Sequence, residues 1–438
     1  MPLLATDLEL TRDSYYAATA QSEAPHPALQ GDTACDVAVV GGGLAGLSAA
    51  LDLRRKGFDV VLLEARELGF GASGRNGGQA IHGLACDQDV IEDQLGLDEA
   101  RRVWGMSIEA LDLLKARIAE HHIDCDWQDG YLGLATTPRK GSELSAWAER
   151  MDSVYGYPMQ RIAPDDMQRW IASPRFHSGV FDARSGHLHP LKYTRGLARA
   201  AAAAGVRIFE GTQVQALRHG NPAELRTTQG TVRAQRVLLA GNVYLHGIAP
   251  QLQARIMPVG TYIACSEVLD KDLADRLIPS RAAVCDTNFV LDYFRPTPDH
   301  RMLYGGRVSY STVTPARLAD SMRERMVRTF PQLRNTRVDY AWGGFVDISM
   351  NRAPDFGRLP AAQPGQAQNV YYLQGFSGHG LALTGLAGRL VAEAMSGDAS
   401  RFDIFARLRH RAFPGGALLR TPALVLGMAW YRLRDILG

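Results

Sequence analysis

The sequence has few cysteines, no marked excess of charge and no apolar run of the roughly 20 residues that a membrane-spanning helix needs. Its five cysteines are scattered through 438 residues without a Cys-x-x-Cys pair, which argues against a disulfide framework and a structural zinc site. Lysine plus arginine number 48 against 46 acidic residues, so no nucleic-acid surface is indicated. The first residues lack the apolar core of a signal peptide. These absences predict a reduced, cytoplasmic protein.

A glycine turn between two short apolar strands is the clearest motif. The strand Val37–Val40 leads into Gly41-x-Gly43-x-x-Gly46, a helix follows, and a second strand ends at Glu64. In such βαβ units the first glycine permits the tight turn, the second lets a pyrophosphate approach the backbone, and the third allows close packing of helix on strand. The carboxylate accepts hydrogen bonds from ribose hydroxyls. The motif predicts a site for the ADP half of a dinucleotide.

A second glycine-rich stretch decides between the common dinucleotides. Residues 69–79 hold five glycines together with Ser73, Arg75 and Asn76. A backbone-rich loop of this kind can lie against a flat ring and donate N–H groups to it, which favours a flavin. A flexible surface loop is the alternative, but it does not explain a position directly after the ribose carboxylate. FAD is therefore the predicted cofactor, and Arg75 is predicted to stabilise negative charge on the reduced flavin.

A third glycine stretch, Gly375 to Gly380, precedes an apolar helix. The N-terminus of that helix is expected to face the pyrimidine edge of the flavin and to stabilise negative charge there. His379 lies in this loop, and a structural hydrogen bond is preferred over acid–base catalysis as the interpretation of its side chain. His187 and His189, near Pro190, have no acidic or cysteine partner at ligand spacing, so we interpret them as part of a turn and not as metal ligands.

Nucleotide-type βα units stand at the start, middle and end of the chain, with strand-rich segments between them. The predicted fold class is α/β, with a discontinuous Rossmann-like FAD-binding domain and an inserted α+β substrate domain dominated by an antiparallel sheet. The predicted boundaries are 1–34 for a lead-in segment, 35–96, 186–250 and 345–400 for the FAD-binding domain, 97–185 and 251–344 for the substrate domain, and 401–438 for a C-terminal tail.

The three glycine stretches, with Val237 to Asn242 between the second and the third, resemble the D-amino-acid oxidase-type FAD oxidoreductases. Within that superfamily, residues 71–79 resemble the γ-glutamylputrescine oxidoreductases. Further matching stretches are residues 186–190, 349–354, 375–380 and 413–416. The resemblance extends from about Tyr15 to Leu437. It implies an enzyme of polyamine breakdown that oxidises the terminal amine of γ-glutamylputrescine, or of a close γ-glutamylated amine, to an imine. Hydrolysis then gives an aldehyde and ammonia, and oxygen reoxidises the flavin to yield hydrogen peroxide.

The cofactor contacts follow from these motifs and from the resemblance. The residues predicted to bind FAD are Gly41, Gly42, Gly43, Leu44, Ala45, Gly46, Glu64, Ala65, Ser73, Gly74, Arg75, Asn76, Gly77, Gly78, Gln79, Val214, Ala240, Gly241, Gly375, Ser377, Gly378, His379, Gly380 and Leu381. Related sarcosine oxidases attach FAD through a cysteine near position 348 and hold the substrate carboxylate with a lysine after the Gly-His-Gly step. This chain has Ile348 and Ala382 there. We therefore predict non-covalent FAD and a substrate without a carboxylate beside the oxidised carbon.

The predicted catalytic residues are Arg75, His379, Tyr262, Trp342 and Arg307. An alkylammonium is a poor hydride donor, so we expect an apolar, aromatic pocket that disfavours its charge. The aromatic candidates on predicted strands of the inserted lobe are Tyr262, Tyr293, Tyr304 and Trp342. Aromatic residues on strands are more often core residues, which is the alternative for each. Arg307 is the candidate partner of the glutamyl carboxylate, with an ordinary surface charge as the alternative.

Three other functions stay open at this stage. A related amine or amino-acid dehydrogenase would pass electrons to a carrier instead of oxygen. A non-catalytic FAD-binding scaffold would keep the flavin loops and have a blocked pocket. The tail, Ala417 to Leu437, has the composition of an interfacial membrane segment, but Pro422 and Gly427 interrupt a helix there, and packing on the protein's own surface is preferred. The predicted partners are a small-molecule amine and molecular oxygen, with no nucleic acid and no metal.

Overall fold

The computed structural model describes residues 14–245, 247–288, 291–309, 317–361 and 368–414, with the side chains of residues 307–309 excepted. The tail segment Ala417 to Leu437 lies outside the described residues. The strands are β1 Thr33–Val40, β2 Val60–Leu63, β3 Gln79–Ala80, β4 Gln128–Ala135, β5 Gln160–Ile162, β6 Ser178–His187, β7 Arg207–Phe209, β8 Ala216–Arg218, β9 Ala223–Arg226, β10 Thr231–Leu239, β11 Ile256–Ser266, β12 Ala283–Asp286, β13 Tyr293–Pro296, β14 Met302–Ser309, β15 Val338–Ser349, β16 Asp355–Arg358 and β17 Val370–Gln374. The α-helices are α1 Tyr15–Thr19, α2 Leu44–Arg55, α3 Gln88–Leu95, α4 Leu97–Glu120, α5 Pro138–Tyr155, α6 Met167–Trp170, α7 Pro190–Ala203, α8 Pro250–Gln253, α9 Lys271–Leu277, α10 Leu318–Thr329, α11 Gly380–Met395 and α12 Ser400–Ala406.

The first of two sheets is built from strands at the start, middle and end of the chain. Its order is β16-β17-β10-β1-β2-β7, with β9 beside β10 and β8 beside β9. β1 runs parallel to β2 and β10, and β17 runs parallel to β10. Residues 37–40 and 60–63 are all buried, as expected for parallel strands that are covered on both faces and therefore consist of continuous apolar runs. This is the Rossmann-like part of the predicted fold.

Helices α2, α11 and α4 form one layer on the first sheet. Gly388 of α11 lies so close to α2 that a Cβ there would be 2.5 Å from the amide nitrogen of Ala49. The stripe from Val103 to Leu114 of α4 joins the same hydrophobic core as both helices. This packing differs from the assignment of residues 97–120 to the substrate domain. An amphipathic pattern shows that a helix has a buried face but does not show which sheet covers it.

The second sheet is mostly antiparallel. Its order is β15-β11-β14-β13-β12-β4-β6-β3, with β5 beside β6. β11 pairs antiparallel with both β14 and β15, and the β12–β4 pair is parallel. Met322 and Met326 of α10 pack into the core on one face of this sheet. The two sheets confirm the predicted fold class. The exact domain boundaries stay a proposal, since β15 crosses residue 345 and β3 belongs to the second sheet.

Membrane-spanning helices and metal sites are the next two features to consider. Within the described residues, no helix combines the length and apolarity that crossing a bilayer requires. The same residues contain no group of three or more His, Cys, Asp or Glu side chains arranged around a metal position. His187 Nε2 lies 2.8 Å from the carbonyl oxygen of Arg281, and His189 Nδ1 accepts a hydrogen bond from the amide of Lys192 at 3.2 Å. Both histidines therefore have hydrogen-bonding roles beside the start of α7.

Candidate active site

A cavity of about 1400 Å³ is lined by residues of both sheets, and most of the predicted cofactor residues meet there. Those that line it are Gly41, Gly43, Leu44, Ala45, Glu64, Ala65, Ser73, Arg75, Asn76, Gly77, Gln79, Val214, Ala240, Gly241, Ser377, Gly378, His379, Gly380 and Leu381. The remaining five, which do not line it, are Gly42, Gly46, Gly74, Gly78 and Gly375. Gly46 has the packing role expected of a third glycine, because a Cβ there would collide with the carbonyl oxygen of Gly41.

The N-terminus of α2 opens into the cavity next to the second glycine stretch. Gly43 is the N-cap of α2, and the hydroxyl Oγ of Ser73 accepts a hydrogen bond from the amide of Leu44 at 2.9 Å. A Cβ on Gly43 would be 2.7 Å from that oxygen, so only glycine fits without displacement. Exposed N–H groups at the positive end of a helix dipole form a natural site for a pyrophosphate. The first two motifs therefore meet where the phosphates are expected.

Glu64 places a carboxylate at the end of β2, on the wall of the cavity. Oε2 accepts a hydrogen bond from the amide of Gly42 at 2.7 Å, and Oε1 accepts one from the amide of Arg66 at 2.9 Å. Burial raises the pKa of Glu64, and these two backbone donors partly oppose that change. Ribose hydroxyls would be further donors to the same carboxylate.

The loop of residues 69–79 is shaped by its own side chains. Asn76 donates from Nδ2 to the carbonyl oxygen of Ala72 at 2.9 Å and accepts at Oδ1 from the amide of Gly78 at 2.8 Å. The guanidinium carbon of Arg75 lies 4.3 Å from the centre of the Phe70 ring, a cation–π distance. Arg75 is buried and lines the cavity, so a fixed positive charge stands beside the expected flavin position.

The second sheet holds the same loop from the other side. Arg295 donates from Nε to the carbonyl oxygen of Gly77 at 2.8 Å and from Nη2 to that of Leu188 at 3.1 Å. Gln79 donates from Nε2 to the carbonyl oxygen of Val284 at 3.0 Å. The sequence analysis did not identify Arg295, since a lone arginine on a strand carries no local signal of what it contacts.

Asp347 organises the third glycine stretch, and the sequence analysis also missed it. Its Oδ2 accepts a hydrogen bond from the amide of Gly375 at 2.5 Å, and its carbonyl oxygen accepts one from the amide of Ser377 at 3.1 Å. Burial raises the pKa of Asp347 to about 6, against the opposing effect of the Gly375 donor. An acidic residue inside an otherwise apolar strand was the available signal.

His379 stands at the N-cap of α11, and its side chain makes structural hydrogen bonds. Nε2 lies 2.9 Å from the carbonyl oxygen of His82 and 3.3 Å from that of Ile81. Burial lowers the pKa of His379 to about 4, so the ring is neutral near pH 7. This geometry agrees with the preferred interpretation of His379 as a structural hydrogen-bonding residue.

Three of the four candidate aromatics, including the predicted catalytic residues Tyr262 and Trp342, lie away from the cavity. Tyr262, Tyr304 and Trp342 are buried in hydrophobic cores and do not line it, whereas Tyr293 does. The indole Nε1 of Trp342 donates to the carbonyl oxygen of Arg75 at 2.9 Å, so this ring supports the flavin loop from behind. Strand alternation separates the two faces of a sheet but does not show where along a strand a cavity begins. The Arg307 side chain lies outside the described residues.

The arrangement fits FAD. The α2 N-terminus and Ser73 suit the pyrophosphate, Glu64 suits the ribose, and the loops 73–79 and 375–380 suit the ring system. A family model described as FAD-dependent oxidoreductase, the DAO family, matches residues 36–394. The chain belongs to this family, and it is an FAD-dependent oxidoreductase.

Curated relatives extend over nearly the whole chain. It is 43% identical to the γ-glutamylputrescine oxidoreductase of Escherichia coli K12, over 97% of this chain and 98% of that protein. It is 38% identical to the probable oxidoreductase OrdL of Haemophilus influenzae, over 96% of this chain and 97% of that protein. Among solved structures, glycine oxidase from Geobacillus kaustophilus aligns with a TM-score of 0.73 at 21% identity, over 86% of this chain and 100% of that chain. The last similarity shows the fold alone.

Proposed function

We propose that the protein oxidises the terminal amine of γ-glutamylputrescine, or of a close γ-glutamylated amine, to an imine that hydrolyses to an aldehyde and ammonia. Molecular oxygen is the proposed electron acceptor, with hydrogen peroxide as product. The 43% identity to the Escherichia coli enzyme of that name, over almost the full length of both chains, supports the substrate class. A group of charged side chains on the cavity wall, outside the three FAD motifs, is the structural observation that carries the proposal.

Helix α5 supplies those charges. Arg139, Lys140 and Glu143 all line the cavity, and a guanidinium nitrogen of Arg139 lies 3.5 Å from a carboxylate oxygen of Glu143. Lys140 Nζ donates to Oδ1 of Asn288 at 2.6 Å. A γ-glutamyl group carries an α-carboxylate and an α-ammonium side by side. Two cations and one anion on adjoining turns of one helix are complementary to that pair of charges.

The residues around the cavity have separable roles in this reaction. Bound FAD supplies the electron acceptor for a hydride from the carbon next to the substrate nitrogen. Arg75 and the N-terminus of α11 place positive charge where negative charge increases on reduction. Tyr131 of β4 and Trp147 of α5 add aromatic surface to the cavity wall, which excludes water and favours a neutral amine.

Non-covalent attachment of FAD is part of the proposal. Ile348 lines the cavity and has no group that can form a thioether. Cys86 and Cys285 also line it, but burial raises the pKa of both thiols to about 12, which leaves little thiolate at neutral pH. Acid precipitation should leave the yellow flavin in the supernatant. A chromophore that stays with the precipitated chain would contradict this part.

Anaerobic mixing of the purified holoenzyme with different amines tests the proposal. The amines are γ-glutamylputrescine, putrescine, spermidine and sarcosine, and the readout is bleaching of the visible flavin band. Rapid bleaching by γ-glutamylputrescine alone is the expected result. Faster bleaching by sarcosine or by a free amine would exclude the γ-glutamyl assignment. A peroxide assay in air addresses the acceptor, since turnover only with an added dye would indicate a dehydrogenase.

A further inference from the structure

A buried histidine–aspartate pair lies on the cavity wall outside the three FAD motifs. His82 Nδ1 is 2.8 Å from Oδ2 of Asp182, and the side chains are 8% and 3% exposed. His82 follows β3 and lines the cavity, whereas Asp182 lies in β6 and does not line it. Both side chains are removed from water, so the hydrogen bond between them replaces hydration that each has lost.

The surroundings of Asp182 keep it ionised. Burial alone would raise the pKa of Asp182, but hydrogen bonds from His82, from the hydroxyl of Ser185 at 2.5 Å and from the amide of Arg184 at 2.9 Å hold it well below its ordinary value. The hydroxyl of Tyr157 also donates to Oδ2, at 2.9 Å. A carboxylate can only accept, so Nδ1 of His82 carries the proton. In the neutral ring, Nε2 is then a lone-pair acceptor.

The other ring nitrogen of His82 is available to a ligand. Within the described part of the chain, the side-chain hydrogen bonds of His82 are all made by Nδ1, and the ring lines the cavity. Four aromatic rings have their centres 5.4–5.8 Å from the imidazole centre: Trp104, Tyr131, Trp147 and Tyr157. Aromatic faces attract a cation while they exclude water. An alkylammonium is the substrate group that suits this location.

His82 also lies next to the flavin end of the cavity. Its carbonyl oxygen accepts the hydrogen bond from Nε2 of His379, and Gln79 of the flavin loop is only three residues earlier. The titratable and charged groups around the imidazole are Asp182 and Arg184 on β6, Tyr131 on β4, Tyr157 after α5, and His379 before α11. Burial lowers the pKa of His379 to about 4, so Asp182 is the nearest fixed charge.

We propose that Nε2 of His82 is the base that takes the proton from the substrate ammonium before oxidation, with Asp182 as its positioning residue. This inference rests on the proposed amine oxidation. The N–H bond breaks, its electron pair stays on the substrate nitrogen, and the proton bonds to Nε2. The resulting imidazolium is compensated by the Asp182 carboxylate. Bound FAD would supply the two-electron oxidant that accepts the neighbouring C–H hydrogen as hydride, and the freed nitrogen lone pair would form the C=N bond.

The step is needed because an ammonium has no lone pair with which to expel hydride. A primary amine with a pKa of about 10.4 is neutral in only about one molecule in a thousand at pH 7.5. An enzyme without a base has to wait for that neutral fraction. A positioned base contributes on the order of 100- to 10,000-fold to such a reaction.

Anaerobic stopped-flow reduction of the holoenzyme by γ-glutamylputrescine, from pH 6.5 to pH 10, tests the inference. In His82→Asn, the amide Nδ2 can replace Nδ1 as donor to Asp182, but no base is left. Because only the free neutral amine can react productively with this variant, we expect the second-order rate constant for flavin reduction to fall by about 100-fold or more at pH 7.5 and to rise about tenfold per pH unit towards pH 10. Asp182→Asn keeps the imidazole but removes the carboxylate that compensates the imidazolium, and we expect a smaller loss at pH 7.5. His219→Asn, in the turn between β8 and β9, is the matched control and should behave as wild type.

A binding measurement separates proton transfer from a structural effect. Holoenzyme with chemically reduced FAD cannot oxidise the amine, so calorimetry in buffers of different ionisation enthalpy reports protons released on binding. Wild type should release close to none, because His82 keeps the proton, and His82→Asn should release close to one. Equal reduction rates and equal proton release in the two proteins would overturn the role of His82. If no amine reduces wild type, the proposed function itself fails, and the inference with it.

Discussion

At the scale of single residues, the contact between Gly43 and Ser73 joins two sequence motifs that are 30 residues apart along the chain. Ser73 Oγ satisfies the first free amide of α2, at Leu44, and its position leaves no room for a side chain on Gly43. The remaining N–H groups of the first helical turn stay available to an anion. We therefore expect the affinity for FAD to depend on the lack of a Cβ at Gly43.

Gly43→Ala should weaken FAD binding without unfolding the protein. The new Cβ would lie 2.7 Å from Ser73 Oγ, so the hydroxyl has to move away from the α2 amide. The loss of that cap and of the close phosphate approach corresponds to about 1–2 kcal/mol, or roughly 5- to 30-fold in dissociation constant. Fluorescence titration of the flavin-free protein with FAD measures it.

The control for this prediction is Gly105→Ala, in the exposed part of α4, where a Cβ would meet no atom within 4 Å. It should leave FAD affinity unchanged and raise helix stability by up to about 1 kcal/mol. Equal FAD affinities in Gly43→Ala and wild type would show that the phosphates do not approach the α2 N-terminus.

At the scale of elements, the beginning of α7 depends on a histidine that has to be neutral. His189 is the N-cap and accepts the amide of Lys192 at Nδ1. Burial, followed by the nearby charge of Arg295, lowers the pKa of His189 to about 3. Folding therefore favours the neutral ring. Its contribution to stability is fully present above the ordinary pKa of about 6.5 and is lost as the pH falls from there towards 3.

His189→Asn should flatten the acid limb of the stability profile. Asparagine retains a cap acceptor for Lys192 but does not titrate, so the penalty of about 2 kcal/mol that His189 alone imposes at pH 5 disappears. His187, whose pKa is also lowered by burial, to about 3, keeps part of the slope. Urea unfolding of the holoenzyme at pH 5.0 and 7.5 measures the change. Identical pH dependence in variant and wild type would contradict the assignment.

Helix α5 brings its own prediction, since its charged residues line the cavity. The double change Arg139→Gln and Lys140→Gln should raise the KM for γ-glutamylputrescine about tenfold and leave kcat nearly unchanged. In the proposed complex these groups would bind the part of the substrate that does not react, so ground state and transition state would lose the same interaction. Putrescine has no glutamyl group, so its low rate of flavin reduction should be the same in the double variant and in wild type.

Arg102→Gln on α4 removes an exposed positive charge away from the cavity and serves as the control for α5. A fall in kcat with unchanged KM in the double variant would place these residues nearer to the chemistry. An unchanged KM and kcat would remove α5 from substrate binding.

At the scale of the whole molecule, the sequence predicted those structural features that depend on residues close together along the chain. Apolar runs and glycine turns fix strands, helices and nucleotide motifs locally, and these agree with the structure. Contacts between distant segments have no such pattern. Arg295 binds Gly77 across 218 positions, and His82 binds Asp182 across 100. Tyr262 and Trp342 differ from the prediction in the opposite way. Their positions on strands suggested a substrate pocket, and the structure buries both side chains in hydrophobic cores.

Arg295 shows how the two sheets depend on each other. It extends from β13 of the second sheet and donates to Gly77 of the flavin loop, to Leu188 before α7 and to the hydroxyl of Tyr16 in α1. The buried guanidinium of Arg295 therefore links α1 and the loop of residues 69–79 to the second sheet. Removing it leaves buried acceptors without a donor, at a cost of about 1–3 kcal/mol each.

Arg295→Met should therefore lower thermal stability and FAD retention together. Methionine fills much of the volume but cannot donate, so the flavin loop loses its support from the second sheet. Calorimetry and flavin fluorescence, followed in the same heating experiment, should show flavin release and unfolding moving to lower temperature in step. Arg334→Met, an exposed arginine after α10, should change neither. If flavin is released early while the unfolding temperature stays at the wild-type value, Arg295 supports only the loop, and the two sheets are stable independently.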